Sequence, residues 1–342
     1  ILEREDRSEE GRRSAPQFRS IIANGLGSRH PLAPRDRPAG VWKRVPRAGL
    51  PAIHESGNRT RTRRDLAMLK LTPLSGALGA EVHALDLSRP LSADVVGPLK
   101  QAFYDHLVLL FRGQDLDAAQ QIAFTEHFGR VEPHPLRTRR SVEGYPGVLI
   151  LENQPGKPGA RNDYWHSDIS HAERPPLATL LHAKVVPPGK GDTMFCNMYR
   201  AWDQLSDGLK RMLDGTHAWH SAGATAKRNN LEHNDGQTIA SVPPPRLHPV
   251  VRTNRETGRK ALFVNPHFVT HLEDMTEAES KPLLDYLYES ATGPENVYRH
   301  HWQAGDVLIW DNRAAMHYAV RDYTPKDRRL MHRTTASGEL VE

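Results

Sequence analysis

A chain of 342 residues, 38% of them hydrophobic, with 26 Pro and 25 Gly, has room for one large domain or two ordinary ones. Its single cysteine, Cys196, excludes an intramolecular disulfide framework and suits a reducing cytoplasm, and no run of about 18 apolar residues is present to span a membrane. The net charge of +5 is concentrated at one end: residues 1–67 carry 15 Lys and Arg against 8 Asp and Glu, so the rest of the chain is slightly acidic and does not call for nucleic acid as a partner.

Residues 1–67 show no sustained apolar period of 2 or 3.6 and are rich in Arg, Pro, Gly and Ser. Such a stretch buries too little apolar surface to offset its ordering entropy, so a disordered basic tail is expected. The texture changes at Met68, which raises the expectation that the native start lies there and that the upstream residues are not native. An Arg-rich targeting or binding arm is the competing idea, though the acids in the segment count against a transit peptide. A peptide from residues 1–67 in mass spectra of the natively expressed protein would exclude the Met68 start. Residues 68–342 are then expected to form a single domain.

From Met68 the elements follow one another regularly. Leu69–Thr72 alternates like a strand, Gly76 and Gly79 mark a turn, and Glu81–Leu87 reads as a second strand. Ser92 is placed to cap a helix whose apolar face is Val95, Val96, Leu99, Ala102 and Phe103. Leu107–Phe111 reads as a buried strand, and Asp117–Phe128 as a second amphipathic helix stopped by Gly129. Strands are expected at 147–151, through His166, at 178–183 and at 194–196, then one helix over 197–215. Residues 222–247 read as a long polar loop. Strands at 248–252 and 261–265, a helix at 276–291, and strands at 307–310 and 330–336 complete the pattern. Many short strands around a few helices predict an α+β fold, mainly β, of barrel or sandwich type, with the double-stranded jelly roll as one form.

Two distant stretches carry chemistry. In Tyr164-Trp165-His166-Ser167-Asp168, an extended backbone would point His166 and Asp168 to the same side, an imidazole and a carboxylate able to grip one divalent metal. His317, in Trp310-Asp311-Asn312-Arg313-Ala314-Ala315-Met316-His317, is the best third ligand. Two His and one carboxylate leave coordination positions open, the arrangement of non-haem Fe(II) oxygenases. His-x-Asp also arises by chance, and with 19 histidines in the chain the pair alone is weak evidence. A keto-acid co-substrate would need a fixed cation for its far carboxylate. In Arg328-Arg329-Leu330-Met331-His332-Arg333, strand period puts Arg329, Met331 and Arg333 on one face. The plainer reading of that run is an exposed basic edge strand. Thr193, after Gly191-Asp192, offers a hydroxyl donor at a tight turn, or is an ordinary turn Thr.

Taken together, Trp165-His166-Ser167-Asp168, Gly191-Asp192-Thr193, Trp310-Asp311-Asn312-Arg313 with His317-Tyr318-Ala319, and Arg329-Leu330-Met331-His332-Arg333 resemble the TauD/TfdA family of taurine and aryloxyalkanoate dioxygenases. The likeness runs from about Leu69 to Gly338. It implies a double-stranded β-helix (jelly-roll) core with flanking helices, Fe(II), 2-oxoglutarate and O2 as cofactor and co-substrates, and a small acidic molecule as primary substrate. It implies His166, Asp168 and His317 as iron ligands, Thr193 and Arg329 on 2-oxoglutarate, and Arg333 facing the acidic end of the substrate. His134, Asn162 and Phe268 match pocket positions. A homo-oligomer, dimer or tetramer, in the cytoplasm is the usual form. The chain departs from the taurine-using members at His171, where they have a pocket Phe, at Arg137, where they have a Tyr, and after Trp219, where a second Phe is missing. The segment between His317 and Arg329 is one residue longer, which leaves Arg328 as the alternative contact for 2-oxoglutarate. Retention of Asp168 argues against a halogenase. The expected reaction is hydroxylation of a small sulfonate, sulfate ester or carboxylic or aryloxy acid, with C–S or C–O cleavage where the product is unstable, and release of succinate and CO2. A metal-binding jelly roll without turnover and a nucleic-acid binder acting through the tail are the alternatives; complete ligands with both arginines oppose the first, and the tail's lack of interleaved aromatics opposes the second.

Overall fold

Val108–Phe111 is apolar at every position, the signature of a strand buried on both faces, and a computed structural model shows what covers each face. The structure describes residues 69–133, 140–153, 162–232, 242–324 and 326–341. The tail, Met68, His134 and Arg137 lie outside the described residues.

In chain order the elements are β1 (Lys70–Pro73), β2 (Ala80–His83), α1 (Ala93–His106), β3 (Val108–Phe111), α2 (Ala118–Thr125), β4 (Ser141–Val142), β5 (Tyr145–Asn153), β6 (Ala178–Val185), β7 (Thr193–Asn197), α3 (Met198–Asp203), α4 (Asp207–Leu213) and β8 (His217–His220). There follow α5 (Gly223–Glu232), β9 (Arg246–Pro249), β10 (Val251–Thr253), β11 (Lys260–Leu262), β12 (Val269–Leu272), α6 (Glu277–Ala291), β13 (Val297–His300), β14 (Val307–Asp311), β15 (Ala315–Ala319) and β16 (Arg329–Ala336). The fold is mixed α/β and mostly sheet. The main sheet has the order β1-β2-β3-β14-β6-β16-β5-β4, and a smaller one runs β13-β7-β15. All these pairings are antiparallel except β2 with β3.

Period-two alternation assigns the two faces of the main sheet. Leu109, Phe111, Leu180, Val307 and Ile309 pack with Leu99 and Phe103 of α1 and Phe124 of α2. Their neighbours Val108, Leu110, Leu181, Leu308, Trp310 and Met331 join Phe195, Cys196 and Met316 of the smaller sheet. The Phe195 and Trp310 rings meet across that gap at 5.5 Å.

Several expectations are corrected. Ser92 is the N-cap residue of α1 but its hydroxyl makes no capping bond, whereas Asp117 and Gln120 form a reciprocal capping box at α2. Gly129 does not stop that helix, which ends at Thr125; a Cβ there would come within 2.8 Å of the Ser337 carbonyl, so the glycine permits a close chain crossing. The helix expected over 197–215 is two, α3 and α4, because Ser206 caps a new start by accepting from Leu209 N–H. Met212 of α4 is 50% exposed. The loop expected from 222 begins with α5.

Candidate metal centre

The smaller sheet and the facing side of the main sheet supply the site. His317 comes from β15, which pairs with β7. The expected strand through His166 is not one: His166 makes a single bridge to His317, its N–H donating to the His317 carbonyl at 3.0 Å and receiving the reverse bond at 2.8 Å. Side chains hold the rest of this loop. Ser167 donates to the Ala315 carbonyl (3.0 Å), and the Asp168 N–H donates to Asn312 Oδ1 (3.3 Å).

One ligand atom from each of His166, Asp168 and His317 lies within 4.8 Å of the others, and all three residues are buried. The Nε2 atoms of His166 and His317 face the same Asp168 oxygen, Oδ1, at 4.0 and 3.8 Å. His166 Nδ1 lies 2.9 Å from the Tyr164 carbonyl, a contact that needs the proton on Nδ1 and so leaves a lone pair on Nε2. Burial pushes both imidazoles below their ordinary pKa, so they stand neutral. Burial alone would raise the Asp168 carboxyl, but the Arg333 guanidinium and, in the acid range where they are protonated, the two imidazoles outweigh it and hold the group below the usual carboxylate range. Two neutral imidazoles and one ionised carboxylate in a dry pocket fit a divalent metal, since each ligand is already in the state that binds.

Around the triad, Arg333 Nη2 lies 3.0 Å from Asp168 Oδ1. Trp310 Nε1 donates to Asn312 Oδ1 (2.9 Å), Asn312 Nδ2 donates to Thr179 Oγ1 (2.9 Å), and Thr179 donates to Asp168 Oδ2 (2.7 Å). The 310–313 turn is braced by a paired Arg313–Asp311 contact (2.9 and 2.8 Å) and by Glu256 (2.7 Å).

Arg329 approaches Gly191: a Cβ on that glycine, whose φ is +74°, would stand 2.9 Å from Arg329 Nε. Among the described residues that enclosed Nε has no hydrogen-bond partner, and burial lowers the pKa of the group. Arg328 instead turns outward to Glu152 at 3.3 Å. Thr193 is buried, and its Oγ1 accepts from Trp302 Nε1 at 3.0 Å. Asn162 accepts from the Tyr164 hydroxyl (3.2 Å). Tyr164 stacks on His267 at 3.8 Å, His267 meets Phe268 at 4.5 Å, and Phe268 meets His171 at 4.8 Å. Thr179 and His267 were not singled out from the sequence. A lone hydroxyl inside the apolar run Ala178-Thr179-Leu180-Leu181 was the available signal for the first; nothing local marks the second.

Two imidazoles and one carboxylate in this arrangement are consistent with the binding of a divalent metal. Residues 70–335 match the model described as Taurine catabolism dioxygenase TauD, TfdA family. The chain belongs to that family. An alkylsulfatase of Acinetobacter baylyi is 34% identical over 289 residues, covering 80% of this chain and 86% of the relative. An alpha-ketoglutarate-dependent 2,4-dichlorophenoxyacetate dioxygenase of Cupriavidus pinatubonensis is 35% identical over 284 residues, covering 79% and 98%. Among solved structures, AAD-2 in complex with Mn(II) and N-oxalylglycine superposes with a TM-score of 0.67 at 32% identity, covering 80% of this chain and 99% of that one. The protein is an Fe(II)/2-oxoglutarate-dependent dioxygenase, with O2 as the further co-substrate. Among the described residues, no helix is long and apolar enough to cross a membrane.

Proposed function

We propose that this dioxygenase hydroxylates a small organic acid, an alkyl sulfate ester, a sulfonate or an aryloxy acid, while 2-oxoglutarate is converted to succinate and CO2. The observation that carries the reading is Arg333 of β16 beside a buried His-Asp-His triad, with a second enclosed arginine, Arg329, at the start of the same strand against Gly191. The antiparallel main and smaller sheets, with the triad between them, are read as a double-stranded β-helix.

His166, Asp168 and His317 would hold the iron, which when bound activates O2 and supplies the oxidant for the C–H bond. Arg329 would take the far carboxylate of 2-oxoglutarate through its planar fork, in a pocket where its own Nε has no other partner. Thr193 would assist: the Trp302 indole can only donate, so Thr193 oxygen receives it and keeps its own proton for a carboxylate. Arg333, beside the triad, would draw the acidic end of the substrate and set which carbon is presented. Asn162, His171 and Phe268 would shape the pocket and exclude water from it, and His134 would contribute from outside the described residues. If the hydroxylated carbon bears a sulfate-ester or aryl-ether oxygen, the product collapses to a carbonyl compound with release of sulfate or a phenol. The substrates named for the alkylsulfatase and the 2,4-dichlorophenoxyacetate enzyme support these two classes.

The test is succinate release by the full chain with Fe(II) and 2-oxoglutarate against alkyl sulfates, alkyl sulfonates and aryloxyacetates, with His166→Ala as control. Turnover above the uncoupled rate with one class, lost in the control, is expected. Metal binding without stimulated succinate release by any class would refute the proposed substrate classes.

A further inference from the structure

We propose that Thr179 is a positioning residue that decides which oxygen of Asp168 faces the two imidazoles. The inference rests on the triad holding a metal.

Proton direction along the buried chain leaves no freedom. The Trp310 indole N–H can only donate, so the atom of Asn312 that receives it at 2.9 Å is the carbonyl oxygen, which also accepts the Asp168 backbone N–H. The Asn312 amide nitrogen is thereby turned toward Thr179, and it donates to Oγ1 at 2.9 Å. With its oxygen already accepting, the Thr179 hydroxyl proton goes to Asp168 Oδ2, at 2.7 Å. Oδ2 is engaged on that side, while Oδ1 is the atom that faces both Nε2 atoms and Arg333. Thr179, Asn312 and Trp310 are no more than 2% exposed and Asp168 is 4% exposed, so bulk water does not stand in for a missing hydroxyl. Thr179 is on β6, paired with Trp310 of β14 and Thr335 of β16, so its direction is set by the main sheet rather than by the loop that carries His166 and Asp168. The carboxylate is thus held to the triad through one oxygen, and the other is withheld from the metal.

Thr179→Val keeps the shape and removes the hydroxyl, leaving Oδ2 and the Asn312 amide unpaired, and the carboxylate is free to rotate. The experiment is anaerobic titration of the full chain with Mn(II) alone, followed by the ligand-field spectrum with Co(II) alone, for wild type, T179V and T179S. Loss of a group that orients a ligand weakens metal binding about 10- to 100-fold. That loss is expected for T179V together with altered Co(II) bands, and T179S should bind within about threefold of wild type with wild-type bands. Folded T179V that binds Mn(II) within about twofold of wild type, or T179S as weak as T179V, overturns the proposal. If T179V does not fold, T179A is judged by the same thresholds. Wild-type protein that binds no Mn(II) would fail the metal-site reading itself, a different result from a wild type that binds and a T179V that binds equally.

Discussion

The two adjacent arginines at the start of β16 make opposite demands, and replacing each by Met separates them. Arg328 is 56% exposed and pairs with Glu152 at 3.3 Å, an arrangement worth at most about 1 kcal/mol. Arg328→Met should therefore leave stability and turnover within about twofold of wild type. Arg329 is a cation whose Nε is enclosed and unpartnered; burial disfavours its charge, and Tyr323, Asp192 and Asp322 offset this only in part. Met has similar length and no charge to desolvate, so Arg329→Met should cost the ligand-free protein less than about 1 kcal/mol, or stabilise it. With Arg329 on 2-oxoglutarate as proposed, the variant forfeits a charge-assisted contact worth about 1.5–3 kcal/mol, which should raise the 2-oxoglutarate KM about 10- to 150-fold. Linkage supplies a readout free of turnover. At 100 times its Kd, 2-oxoglutarate stabilises the wild type by about 2.7 kcal/mol, or a Tm rise on the order of 4–5 °C in anaerobic Mn(II) at this chain length. Arg329→Met should lose that rise and Arg328→Met should keep it. The reverse pattern, or ligand-free Arg329→Met unfolding with more than about 3 kcal/mol lost, would refute the reasoning.

Gly191→Ala should act on the same contact from the other side. The left-handed backbone costs about 1–2 kcal/mol, and the new Cβ, 2.9 Å from Arg329 Nε, should raise the 2-oxoglutarate KM; an unchanged KM would show that Arg329 moves freely. Asp306 is fully buried and its Oδ2 receives Arg112 (2.6 Å) and the Gln303 N–H (2.8 Å) and faces His300 (3.2 Å). Asp306→Asn should lower stability by about 3 kcal/mol in urea unfolding, and adding Arg112→Met should recover part of it. Burial pushes His171 and His182 down to about 4, and lowers His220 and His248 too. Between about pH 6.5 and 4 the unfolded chain then binds more protons than the native one. The stability these groups contribute is complete above pH 6.5 and lost as pH falls, by up to about 1.4 kcal/mol per unit for a buried imidazole and less for the partly exposed His171. A urea midpoint that stays level from pH 7 to pH 5 would contradict this.

What could be read in advance divides along physical lines. A short apolar run depends only on a residue and its near neighbours, so β3 and β14 were legible, as was α6, whose Thr276–Glu279 capping box marks its start. The His166–Asp168 segment is not the strand expected because no neighbouring strand pairs with it. Its backbone and Ser167 are fixed by Asn312, Ala315 and His317, more than 140 residues away, and its backbone leaves the extended region at Ile169, with φ +48°. The role of Thr179 depends equally on a distant residue, its partner Asn312 lying 133 residues on.

The choice between Arg328 and Arg329 shows how the two kinds of information combine. Neither spacing nor composition separates two adjacent arginines, and an insertion upstream blurs any motif count. A strand does separate them, because successive side chains point to opposite faces. Met331 is fully buried against the smaller sheet, which fixes the inward parity of β16, and Arg329 and Arg333 share that parity while Arg328 does not. One apolar anchor therefore assigns three cations. A substitution that shifted β16 by one residue against β5 and β6 would turn Arg329, Met331 and Arg333 together onto the other face of the sheet.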